Sequence, residues 1–402
     1  MAGTQLFSST TGMPLLDIKF DTCTFGDLGS DSTTNQLMNF PGIAHLRFTS
    51  CVIYRLISTR IVNVIGDLHV SDLNIQTTSS TQEWIKFDGE IMEITQLTVE
   101  ASSASSGISI TNVGLVDFSQ ATVDTLKLVD IPETTLDILK VNGIAQLTVT
   151  NVVLEGCNAQ NLFNFESGLQ NFGSSYTIDG VTWSEDNPSY GTGAAVIFGP
   201  NIVGLTVRNG EFYYNKGIDT SLFAVSCLAV QDCTFSGLSE TQMGTVGISL
   251  VDETEPMFQR VSLLYYETGF KALETIQGTT YLESVGCYDC LEGITGPFEE
   301  LNLNDAHFDS DIGTVTAIVD VPIVYAYGCV FLNQHGDWTA NNVAWSFDSC
   351  SFTDSPLSVF DSDVAFYSSH FTNSPISSET GSSSGSLYFY QSDLKFDAGM
   401  IN

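Results

Sequence analysis

Apolar and polar residues alternate in short runs along the chain, and the runs carry a recurring phrase. It reads FDTCTF at 20–25, FTSCVI at 48–53, VQDCTF at 230–235, AYGCVF at 326–331, FDSCSF at 347–352 and FYSSHF at 366–371. Side chains two places apart on a strand share a face, so the residue at the cysteine position and the apolar residue two places later both point inward. With the cysteine position as anchor, equivalents fall at Cys23, Cys51, Leu73, Leu97, Val152, Val181, Gly210, Cys233, Val261, Cys287, Ala306, Cys329, Cys350, Ser369 and Ser392. Their apolar partners include Phe25, Phe235, Phe331, Phe352 and Phe371, with Asp289 as the exception after Cys287. Anchor spacings run from 19 to 29 residues, apart from a gap of 55 between Leu97 and Val152 that predicts one or two further coils.

A period of this length is too short for a βαβ unit or a four-stranded propeller blade, and no window carries a sustained helical stripe with caps. The pattern therefore predicts an all-β chain, a single-stranded parallel solenoid of about sixteen coils with three short strands per coil. One continuous solenoid over residues 1–402 is expected. Ser/Gly-rich stretches such as ASSASSG at 101–107 and SSETGSSSGS at 377–386 read as loops that bulge from the stack.

The phrases resemble those of the pectin-lyase-like superfamily of right-handed parallel β-helices, and the resemblance covers nearly the whole chain. It implies right-handed winding and names an architecture that serves polysaccharide lyases, glycoside hydrolases, phage tailspikes, adhesins and large repetitive surface proteins. The surface and adhesin-type members look most similar. The lyases and hydrolases of the superfamily use clustered acids with Arg, Lys or His, whereas the five arginines here, at 47, 56, 60, 208 and 260, lie near no such cluster in sequence.

Charge narrows the partners. The chain has 47 acidic and 12 basic residues and a net charge of −35, which repels nucleic acid, anionic membrane surfaces and uronate polymers and leaves neutral glycans as the compatible sugar class. No run of about 20 apolar residues marks a membrane span, and the N-terminal sequence lacks the basic start and apolar core of a signal peptide.

The chemistry-bearing candidates are few. Cysteines at 23, 51, 157, 227, 233, 287, 290, 329 and 350 read either as a ladder of small buried residues, with Cys23 over Cys51 and Cys329 over Cys350, or as disulfides between neighbouring coils. Cys287 and Cys290 form a lone C-x-x-C, unsupported as a zinc or redox motif. The repeated DSD at 309–311 and 361–363 makes Asp309, Asp311, Asp361 and Asp363 candidate calcium ligands, with Asp252, Glu253 and Glu255 nearby in type; turn chemistry is the favoured alternative. His335, Gly336 and Asp337 before Trp338 form one further polar constellation. No nucleophile elbow, HExxH, P-loop or dinucleotide fingerprint is present. No catalytic residue and no cofactor besides calcium is therefore assigned. Solenoid ends expose unpaired strands, and neither terminal sequence reads as a cap. The expectation is a non-catalytic extracellular or cell-surface protein, structural or adhesive, that associates with itself or with other surface and filament proteins; the alternative is a polysaccharide-cleaving or carbohydrate-binding solenoid.

Overall fold

The computed structural model describes residues 7–8, 17–26, 34–55, 57–80, 82–102, 104, 106–111, 119–131, 134–169, 173–183, 191–219, 227–251, 256–312, 316–319, 321–334, 339–341, 343–379 and 385–395. Every regular element among them is a strand, and nearly all pair in parallel. The chain is an all-β parallel solenoid whose strands fall into three ladders. It divides into two compact units, Met1–Phe212 and Tyr213–Asn402.

In the first unit the anchor ladder runs in register through Cys51, Leu73, Leu97, Leu126, Val152, Val181 and Gly210. Leu126 resolves the long gap: a single coil fills it, on the phrase LKLV, which has neither cysteine nor aromatic residue. A second ladder stacks Leu46, Leu68, Met92, Ala121, Leu147, Tyr176 and Leu205. The third stacks Met38, Val62, Ile85, Ile108, Leu139, Phe163 and Val196. All of these are buried, so each strand's alternation sends one row into a core shared by the three ladders.

In the second unit the column two places after the anchor reads Phe235, Leu263, Cys287, Phe308, Phe331, Phe352, Phe371 and Leu394. Cys287 thus occupies a partner position, not the anchor position expected for it. The anchor of that coil is Val285, whose carbonyl accepts from the His307 amide as the Ala306 carbonyl accepts from Val330. The shift removes the Asp289 exception: Asp289 lies past the column, at a corner with positive φ.

Among the described residues complete turns number about 13, against the sixteen expected. The anchor phrases count rungs of one ladder only. The third ladder is interrupted, because Thr339–Asn341 pairs with Leu357–Phe360 and Ile376–Glu379 in a separate three-stranded sheet; an anchor phrase does not always stand on a complete turn.

The corners explain why the phrase has its form. A single residue of positive φ turns the chain just before the anchor: Ser284, Asp305, Ser349 and Ser368 lie at φ of 53°, 53°, 56° and 50°. Short polar residues tolerate this left-handed region better than bulky ones. Each of the four donates its amide to a carbonyl of the next coil, at 2.8–2.9 Å, so the bend leaves no corner amide unpaired. The anchor that follows is small and turns back on the chain. Cys350 Sγ donates to Asp348 O at 3.4 Å and Ser369 Oγ donates to Tyr367 O at 3.0 Å. Ser369 Oγ also accepts the Cys350 amide. Cysteine and serine therefore alternate at one site because either can donate to the carbonyl two places back.

Candidate functional site

The nine cysteines are free thiols. Cys23 stacks over Cys51 and Cys329 over Cys350, in the order the phrases predict. The Cys350 thiol is held well above its usual pKa by its hydrogen bond to Cys329 and by burial, and Cys287 is raised likewise by its bond to Cys290 and burial. Burial also pushes Cys157 up to about 11. These are protonated, poorly nucleophilic groups at neutral pH. Their role is packing and corner bonding.

The four aspartates do not converge. Asp309 and Asp311 sit at one corner, where both accept from Asn333 Nδ2, at 3.1 and 3.2 Å. Asp289 Oδ1 accepts the Asp311 amide at 2.9 Å. Asp361 bends the chain at φ 45° between Leu357–Phe360 and Asp363–Tyr367, and Asp363 Oδ1 accepts the Ser386 amide. The two DSD segments thus occupy different corners and mainly serve turns. Asp252, Glu253, Glu255 and the His335–Trp338 constellation lie outside the described residues.

What the phrases did not disclose is the outer face of the second ladder in the second unit. Two outward columns run there in register. One passes through Met257, Tyr281, Asn302, Tyr325, Ser346, Ala365 and Tyr388. Its neighbour passes through Gln259, Glu283, Asn304, Tyr327, Asp348, Tyr367 and Tyr390. The six tyrosines are 37–57% exposed. Tyr367 lies 5.9 Å from Tyr388 and 6.4 Å from Tyr390 between ring centroids. The sequence signal was the tripeptides YAY at 325–327 and YFY at 388–390, in which the middle residue is the inward one.

The first unit carries a different outward cluster on its second ladder. His45 pairs in register with Asp67, and His69, two places on, pairs with Glu93. The ligating atoms of His45, Asp67 and His69 all lie within 4.8 Å of one another, the one such grouping among the described residues. Nothing in linear sequence joins His45 to Asp67; a full coil separates them.

No protein-family model, curated protein or solved structure matches the chain.

Proposed function

We propose that this chain is a non-catalytic structural or adhesive protein of the cell exterior, and that it holds neutral glycans against the tyrosine face of its second unit. The observation that carries this reading is the pair of outward columns. A parallel sheet spaces successive coils roughly 4.8 Å apart, so the rings stand one to three coils apart along each column, and between them lie Asn302, Ser346, Asn304 and Asp348, able to bond sugar hydroxyls. Tyrosine offers an apolar face and a hydroxyl at small conformational cost, and six exposed rings on one face form the kind of apolar patch that marks a binding surface. The net charge of −35 selects against acidic polymers. Membership of the pectin-lyase-like superfamily and right-handed winding are part of the same proposal and rest on the resemblance of the FDTCTF-type phrases.

Retention of the full chain on immobilised neutral polysaccharides, beside polygalacturonate as the anionic control, tests the reading. Binding to a neutral polymer that falls in a Tyr327→Ala/Tyr390→Ala variant, with no release of reducing ends, supports it. Release of reducing ends would instead favour the polysaccharide-cleaving alternative.

Assembly is a second element of the proposal, favoured by the last described coil. Leu387, Phe389 and Leu394 stand in register with the buried Val364, Phe366 and Phe371, yet are 36%, 37% and 51% exposed. A further in-register coil, whether of this chain's own continuation, a second copy or another surface protein, would cover them. Electron microscopy showing end-to-end filaments supports this element; discrete particles at all concentrations count against it.

A further inference from the structure

We infer that His45, Asp67 and His69 form a binding site for a divalent transition-metal ion of the zinc class, on the outer face of the first unit. Two imidazoles and one carboxylate make a nitrogen-rich, borderline-soft donor set, which suits Zn²⁺, Ni²⁺ or Cu²⁺ better than calcium or magnesium. The parallel register does the assembling. Asp67 and His69 share one strand face two residues apart, and His45 lies against Asp67 from the preceding coil.

Three features of the cluster point to a cation. First, His45 Nδ1 is shielded from solvent and has no hydrogen-bond partner, although Asp67 Oδ2 lies only 3.1 Å away. Ring nitrogen and carboxylate face each other out of line for a hydrogen bond, and a buried polar atom left in that state calls for an unseen partner. Second, the ligating atoms lie within 4.8 Å of one another, and tetrahedral zinc with bonds of about 2.0–2.2 Å needs ligand atoms about 3.4 Å apart. An inward shift of at most about 1.4 Å between the furthest pair would bring them to that spacing. Third, Glu93 Oε2 sits 2.9 Å from His69 Nδ1. A carboxylate behind a histidine fixes the ring and leaves its other nitrogen open to ligation, the usual outer support of a metal-bound imidazole.

The surrounding charge is compatible. Asp17 pairs in register with His45, while Arg47 pairs with His69 and Lys19 with Arg47. Lys19 is engaged by Asp21 at 3.1 Å. Asp67, Glu93 and Asp17 thus face Arg47 as the one unpaired cation named here. Three protein ligands leave a fourth position for water or a donor from a partner. An ion here clamps two successive coils of the first unit and, by binding only the folded state, raises its unfolding temperature.

The test is calorimetric titration of the full chain with Zn²⁺ at neutral pH, after chelator treatment and with excess Ca²⁺ present to occupy exposed carboxylates. One saturable site is expected, together with a zinc-dependent rise in unfolding temperature. His45→Gln and His69→Gln should each weaken binding at least about tenfold, and Glu93→Gln, which keeps all three ligands, about 10–100-fold. Circular dichroism checks that each variant folds, and Glu93→Gln stands alone if a histidine variant does not. Absence of a saturable site overturns the inference, as does a site unchanged by all three substitutions. Co²⁺ substitution gives the remaining arm: a thiolate charge-transfer band would place the ion on cysteine and overturn it, whereas ligand-field bands without that band support it.

Discussion

The two units build the same coil with different fillings. In the first, the column beside the anchors is chiefly aliphatic: Ile53, Ile75, Val99, Leu128 and Leu154, all buried. In the second, Phe308, Phe331, Phe352 and Phe371 stack at centroid spacings of 5.3, 4.9 and 4.7 Å, with rings 2°, 12° and 6° from parallel. A second column, Phe347, Phe366 and Phe389, stacks beside it and meets it edge to face. The rise of about 4.8 Å per coil is set by backbone hydrogen bonding, and it coincides with the separation at which offset rings attract. Coil length differs too: 29 residues separate the register partners Asp179 and Arg208 in the first unit, and 19 separate Cys350 from Ser369 in the second. The ladder fixes the rise and little else, so core chemistry and loop length are free to vary around it.

The largest effect that sharpens this contrast is loss of a stacked ring. Phe352→Ala should cost about 3–5 kcal/mol and Leu128→Ala about 2–5 kcal/mol in urea unfolding. The distinguishing quantity is coupling: a Phe331/Phe352 double-mutant cycle should show about 0.5–1.5 kcal/mol beyond additivity, and an Ile75/Val99 cycle less. Equal coupling in the two columns would mean that ring stacking adds nothing to burial.

Alkali should act on the first unit next. Burial pushes the Tyr176 hydroxyl up to about 12 from 10.0. A folded-state pKa raised above the unfolded value gives stability that is complete below pH 10 and lost as pH rises toward 12, here of order 2 kcal/mol. Tyr176→Phe should flatten the fall in stability between pH 10 and 12, measured by urea midpoints; an unchanged slope would refute the assignment.

Smaller still is the corner effect, which should be alike in both units. Ser50 and Ser349 lie at φ 50° and 56°. A valine at either should cost about 1–2 kcal/mol, while glycine at either should be within about 1 kcal/mol of neutral. A cost in one unit alone would show that the corners are not equivalent.

The smallest effect separates surface from core. Cys227 is exposed, whereas Cys51, Cys157, Cys233, Cys287, Cys290, Cys329 and Cys350 are buried. A thiol reagent at pH 8 should label Cys227 quickly and those seven only on unfolding. Rapid labelling of Cys157 would contradict its raised pKa.

The phrases disclosed the fold because each packs a corner residue, a small anchor and an inward apolar residue into consecutive positions, and all three are dictated locally. They failed where local chemistry was ambiguous. In SVGCYDC the eye anchors on Cys287, yet Val285 and Cys287 both point inward, and only pairing with Leu263 and Phe308 decides which is which. The coil at Leu126 carries no cysteine or ring to announce it. The DSD segments look alike in sequence because different corners make the same demand on side chains, so their likeness predicted no shared site. The tyrosine face and the His45–Asp67–His69 cluster stayed hidden for a different reason: their members are a coil apart, and outward residues become neighbours only once register is known.

Hydroxyl-radical footprinting of the full chain, read residue by residue by mass spectrometry with and without a bound neutral glycan, bears most directly on the proposed face. In the free protein Tyr281, Tyr325, Tyr327, Tyr367, Tyr388 and Tyr390 should oxidise, while the buried Tyr176, Tyr214 and Tyr266 should not. Glycan should then protect the outward six and leave His45 and His69 unchanged. Bound glycan that protects none of those tyrosines, or that protects another face instead, would contradict the proposed function.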